Sequence, residues 1–214
     1  QYSTSTDINR YDRLTDPAGS GLKSAEWYYG PQKRLLGIYS LEKENVFSNT
    51  DFKLDAGYQN IEESRHNRNF GNYNLQNRVE KVAVYSLAVN FEAKLIKGNL
   101  YYGIENYYDD LKSTAHKNNI NTGVDVPLDT RYPNGKNNMM RNDVYVSYSS
   151  KRYEATNFSI GARAGYATLN STIADNSILP LPFTEIKQQN FTYSGNIGLV
   201  HNASEIFIVK TNLS

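Results

Sequence analysis

Apolar and polar residues alternate one by one along much of this chain, and helical spacing is hard to find. The clearest run covers residues 81–95. Ala83, Tyr85, Leu87, Val89, Phe91 and Ala93 fall on one side, and Val84, Ser86, Ala88, Asn90, Glu92 and Lys94 on the other. An extended strand separates these sets, because successive side chains point to opposite faces. The pattern recurs at 52–58, 100–108, 158–166 and 191–199, and more raggedly at 34–41, 143–150 and 205–213. These runs predict an all-β chain, an antiparallel meander of about eight strands.

The connections between them alternate in length. Short ones fall near 42–50, 96–99, 151–156 and 201–204, and long ones cover 62–77, 110–141 and 170–189. Pro17, Pro31, Pro127, Pro133, Pro180 and Pro182 all lie outside strand cores, where a residue without a ladder donor belongs. Asn134-Gly135 is a tight-turn signal inside a long connection. Turns that are short at one end and long at the other build the barrels of bacterial outer membranes. The meander is therefore expected to form part of a transmembrane β-barrel.

The two faces differ as such a wall requires. One carries Tyr, Phe, Leu, Ile, Val and Ala, and a charge there would cost roughly 2–4 kcal/mol at the bilayer midplane. The other carries Ser, Asn, Thr, Gly and Gln, with Lys53, Asp55, Glu92, Lys94, Glu105 and Arg163 among them. Such groups suit a wet lumen and are costly in a dry core. Tyr28, Tyr29, Tyr107, Tyr108, Tyr148 and Tyr166 sit near strand ends. They read either as interfacial girdles or as ordinary half-buried strand residues.

Composition narrows the classes. Hydrophobic residues make up 39% of 214 and mean hydropathy is −0.65. No stretch approaches the roughly 20 apolar residues of a membrane helix. The net charge of +1, from 23 basic and 22 acidic side chains, argues against nucleic acid as a partner. With no cysteine, disulfides, thiolate metal sites and cysteine nucleophiles are excluded. The sequence opens on Gln1 without an initiator Met or a leader, so a processed chain or a piece of a longer protein is expected.

Three segments carry a resemblance: residues 10–15 (Arg-Tyr-Asp-Arg-Leu-Thr), 25–32 (Ala-Glu-Trp-Tyr-Tyr-Gly-Pro-Gln) and 58–66 (Tyr-Gln-Asn-Ile-Glu-Glu-Ser-Arg-His). With Arg131-Tyr132-Pro133-Asn134-Gly135 and the terminal Thr211-Asn212-Leu213-Ser214, they resemble TonB-dependent outer-membrane receptors of the siderophore and haem branch found in Bacteroidetes. The resemblance implies residence in the outer membrane of a Gram-negative bacterium. It also implies contact with outer-membrane lipid, coupling to TonB through a plug region, and an iron chelate or haem as ligand. Family members have a plug domain, a TonB box, a 22-stranded barrel and a terminal Phe-Arg-Ala-Pro box. None of the plug or either box is visible in these residues. Residues 1–214 thus read as an interior part of the barrel domain, with 1–33 an extracellular loop region leading into the first strand. An arc with two bare edges is expected neither to insert stably nor to transport alone.

The candidate ligand residues are Arg65, His66 and Arg68, in a charged cluster with Glu62 and Glu63, and His116 in a longer polar loop. Imidazole can ligate haem iron and arginine can hold an anionic siderophore. Against that stands a self-neutralising charged strand end. His201 falls in a short turn on the periplasmic side. Three dispersed histidines with no second-ligand spacing make a weak metal case. Asp109-Asp110 and Glu62-Glu63 point to opposite faces of a strand and cannot flank one bond. No nucleophile elbow, phosphate loop or zinc helix occurs. No enzyme, cofactor or metal is expected. Two other readings compete: a self-contained small barrel, lipocalin-like or an eight-stranded outer-membrane protein, and a surface adhesion protein. The small barrel requires the strand at 34–41 to pair with that at 205–213.

Overall fold

A computed structural model describes residues 1–150, 155–202 and 207–214. An N-terminal region of short pieces comes first: β1 Tyr2–Thr4, β2 Ile8–Asn9, the helical turn α1 Tyr11–Leu14, β3 Pro17–Ala18, β4 Gly21–Leu22 and β5 Ser24–Tyr29. Long strands follow: β6 Lys33–Phe47, β7 Thr50–Asn69, β8 Asn74–Leu95 and β9 Gly98–Asn119. After β10 Asp125–Pro127 come β11 Asn137–Ser150, β12 Thr156–Thr172, β13 Glu185–Asn202 and β14 Ile208–Leu213.

The main path is an antiparallel meander, β6-β7-β8-β9-β11-β12-β13-β14, with β1 on the outer edge of β6 and β5 on the upper part of β7. This is the expected eight-strand ribbon. Its outer strands have no closing ladder among the described residues: β14 pairs with β13 alone, and β1 covers only Lys33–Leu35 of β6. The self-contained small barrel required pairing between 34–41 and 205–213. The described part of that second segment, β14, lies at the opposite edge of the ribbon, and residues 205 and 206 lie outside the described residues. The predicted short turns at 151–156 and 201–204 likewise fall partly outside them.

Among the described residues there is no apolar interior. Leu128 is the single buried hydrophobic residue, and no side chain is fully enclosed. The apolar side chains instead line up across the sheet on one face. The register joins Leu41, Leu54, Val89, Ile104, Val144, Ala164 and Tyr193 in a single row. Two rows above it stands an aromatic row of Tyr58, Tyr85 and Tyr108, with ring centroids 5.1 and 6.2 Å apart. Below it Phe91 lies between Phe52 and Tyr102 at 5.4 and 5.1 Å. The apolar band occupies residues 85–93 of β8, matching the roughly 9–11 residues of a tilted membrane strand. Aromatic rows at both margins are what an interface selects.

Of the six strand-end tyrosines, Tyr28, Tyr108, Tyr148 and Tyr166 share this outward face, whereas Tyr29 and Tyr107 lie on the inner one. Tyr107 there carries the Arg141 guanidinium 4.5 Å over its ring. The inner face holds an ion-pair network at the height of the apolar band. Arg163 reaches Glu105 at 2.5 Å and Asp143 at 3.0 Å.

Strand ends correct the predicted loops. Residues 62–69, 74–77, 110–119, 125–127, 137–141, 170–172 and 185–189 are strand, not loop. β8 and β9 have 22 residues each, about twice what a bilayer needs. Above the tyrosine row polar residues fall on both faces of these strands, so alternation vanishes from the sequence while the hydrogen-bond ladder continues. The connections that remain at this end are the tip 70–73 and the loops 120–124, 128–136 and 173–184. At the other end β6 and β7 are joined through 48–49, and β8 and β9 through 96–97.

Candidate functional site

The upper end of β7 is where the N-terminal region docks. β5 pairs with it antiparallel, placing Tyr29 opposite Arg65, Tyr28 opposite His66 and Trp27 opposite Asn67. Pairing aligns faces, so Trp27, Tyr29 and Arg65 all point inward. The Arg65 guanidinium lies 5.1 Å from the Tyr29 ring centre and 5.6 Å from that of Trp27. Arg10 approaches the same two rings at 5.6 and 5.0 Å and donates to the Tyr29 hydroxyl at 2.8 Å. Each such cation–π contact contributes on the order of 0.5–2 kcal/mol.

The two arginines differ in what neutralises them. Arg10 is clamped on Asp12, with contacts of 2.5 and 2.7 Å. Hydrogen bonding to Arg10 holds the Asp12 carboxyl down at about 2. Arg65 has no carboxylate partner among the described residues, and its buried Nε has no hydrogen-bond acceptor. Beside it opens a cavity of about 240 Å³ lined by Tyr29, Glu63, Arg65, Glu80 and Arg131 among others. Glu80 is buried there, 3.5 Å from Arg131 and accepting from Ser113 at 3.3 Å. Arg78 is held by Asp129 at 3.1 Å. A cation packed against two aromatic rings at the edge of a cavity can hold a planar anionic group.

The four residues singled out from sequence do not converge. Arg65 faces inward. His66, next along the strand, faces outward, where Tyr28 stacks on its ring at 4.6 Å and Nδ1 bonds Asn77 Oδ1 at 2.6 Å. His116 lies in the same outward row, joined to His66 only through Asn77, which pairs with both. Arg68 also faces outward and is bound to Glu26 at 2.6 Å and to the Asn72 carbonyl at 3.0 Å. His201 is at the far end, in β13, bonded to Thr156 Oγ1 at 2.8 Å. Among the described residues no group of three metal-ligating side chains forms. Sequence reasoning missed Arg10, Trp27, Tyr29, Glu80 and Arg131 as companions of Arg65. The available signal was parity: Trp27 and Tyr29 flank Tyr28, so both fall on one side of a strand.

Among solved structures the chain is similar to the copper transporter OprC, at 13% identity and TM-score 0.69, over 84% of this chain and 28% of that one. It is also similar to the ferric yersiniabactin uptake receptor FyuA from Yersinia pestis, at 12% identity and TM-score 0.65, over 99% of this chain and 32% of that one. Both are TonB-dependent receptors. The chain therefore has the fold of part of their barrel wall, and it spans about a third or less of their length. No family model and no curated protein matches its sequence.

Proposed function

We propose that this chain forms part of the barrel wall and the extracellular hairpins of a TonB-dependent receptor. In this reading the receptor sits in the outer membrane of a Gram-negative bacterium and takes up a scarce nutrient. Residues 1–214 are then one stretch of the barrel domain, with 1–33 folded against its extracellular rim. A plug region supplies the link to TonB. The observation that carries the reading is the cross-strand register, which sorts each strand into an apolar outward band and a hydrated inner face. The barrel likeness supports it. The two neighbours carry different cargoes, copper and ferric yersiniabactin, so the shared wall does not name this one.

For the ligand, the inward Arg65 cluster favours an anionic chelate such as a ferric siderophore over axial ligation of haem iron. His66 and His116 both face away from the lumen, and His66 is already engaged by Asn77. The test is a titration of the full-length protein with a ferric tris-catecholate and, separately, with haem. Arg65→Ala is expected to weaken the ferric chelate about ten- to a hundred-fold, the worth of a charged hydrogen bond. His66→Ala is expected to change neither. Unchanged chelate affinity in Arg65→Ala removes the site assignment, and loss of haem binding in His66→Ala restores the imidazole reading.

A further inference from the structure

The outward face carries a second feature that uptake does not use. Two rows above the tyrosine row, the register aligns Lys33, Glu62, Lys81 and Lys112 across β6, β7, β8 and β9. Lys136 continues the row. It adjoins β11 two residues before Asn138, and its backbone exchanges bonds with Thr172, from the Thr172 amide to its carbonyl at 2.8 Å and from its amide to Thr172 Oγ1 at 2.8 Å. Glu62 sits between two of the lysines, at 3.0 Å from Lys33 and 2.8 Å from Lys81. Lys112 and Lys136 are exposed and have no ion-pair partner among the described residues. Across β12 the row ends on Glu185, opposite Thr172 and held by Lys187 at 2.7 Å, and Asp110 stands one row below Lys112, so four lysines share the row with two glutamates. Lys81 and Lys112 stand directly opposite one another, an arrangement that repels unless an anion lies between.

The height of the row identifies the anion. Lys81 is four residues above Tyr85, which at about 3.3 Å per residue and a tilt near 40° is about 10 Å beyond the aromatic belt. Lysine stems reach back several ångströms toward the apolar surface. Their ammonium groups therefore lie at the level of lipid headgroups. A membrane offers a phosphate at that height.

We propose that Lys81, Lys112 and Lys136 bind the phosphate of an anionic lipid in the leaflet at the end of the long loops, with Lys33 and Glu62 anchoring the row's edge. The assignment rests on the barrel's placement in a membrane and not on any cargo. The test uses the full-length protein in phosphatidylcholine nanodiscs containing a minor fraction of diphosphorylated lipid A, with phosphate-free lipid A in a parallel set. Lipid retained after detergent extraction is counted by native mass spectrometry. Lys112→Gln/Lys136→Gln is expected to retain roughly 25-fold less of the phosphorylated lipid, about five-fold per lysine, and the same amount of the phosphate-free one. Unfolding of the double variant in pure phosphatidylcholine checks that it folds. If it does not fold, added salt must strip the phosphorylated lipid from the wild-type protein and leave the phosphate-free lipid in place. Equal retention by wild type and variant overturns the proposal. So does inorganic phosphate alone displacing the lipid at millimolar concentration, because a free-anion site then accounts for the lysines.

Discussion

Gly103 lets one tyrosine cross a strand. Tyr145 on β11 lies over this glycine on β9 and donates from its hydroxyl to Asn90 Oδ1 on β8 at 2.6 Å. A Cβ at position 103 would strike the Val89 carbonyl oxygen and come within 2.9 Å of the Tyr145 ring. A glycine inside a strand marks such a close approach. Gly103→Ala is expected to destabilise the barrel by about 1–3 kcal/mol, the usual cost of overpacking, measured by reversible unfolding in vesicles. Neighbouring residues of β8 offer a sharper contrast. Val89 is in the middle of the outward band, and Ala88 faces inward between Asp55 and Glu105. Val89→Lys is expected to cost about 2–4 kcal/mol, as charge at the midplane does. Ala88→Lys lands beside two carboxylates in a wet lumen, so the same assay should register a cost well below that. Equal costs would mean that the faces are assigned the wrong way round.

Strand pairing above the tyrosine row is reinforced by charge. Glu62 on β7 takes hydrogen bonds from Lys81 on β8 and Lys33 on β6, and these hold its carboxyl below the ordinary value of 4.5. A carboxylate whose folded pKa is lowered stabilises the fold fully at pH values above its unfolded pKa. That contribution is lost as pH falls through the lowered value. Lys33 is shifted the other way, upward from 10.5, chiefly by its bond to Glu62, so its share is present at neutral pH and lost only at strongly alkaline pH. The wild-type protein should therefore be more stable than Glu62→Gln at pH 7, and the gap should close as pH drops below 4.5. Parallel denaturant titrations at pH 7 and at pH 3 would measure it. A gap that persists at the lower pH would show that Glu62 acts by packing and not by charge. At the same scale, the predicted loops were strands because their residues are polar on both faces. Glu62, Glu63, Arg65 and Arg68 read as a charged loop base, yet they are extended backbone with alternating orientation. The residue types of the candidate site were legible. Their division between lumen and exterior was not.

Among the described residues the ribbon has no ladder partner along most of the outer side of β6 and along the outer side of β14. In hydrocarbon each unsatisfied group costs several kcal/mol. Residues 1–214 expressed by themselves are expected to remain extractable from vesicles by urea and to show no heat-dependent shift on a gel. A urea-resistant, heat-modifiable species would instead mean that copies of the ribbon close on one another.

The alternation at 52–58 and 81–95 was set by local physics, since a strand whose two faces meet different surroundings takes opposite chemistry on adjacent residues. That was enough for an all-β meander and its apolar face. What only the tertiary structure decided was which residues stand side by side. Trp27 and Tyr29 reach Arg65 because β5 pairs with β7, and Lys81, Lys112 and Lys136 share a row because three strands are held in one register. Those neighbours are tens of residues apart along the chain, and hydrogen bonds between whole strands, not the preferences of any single residue, bring them together.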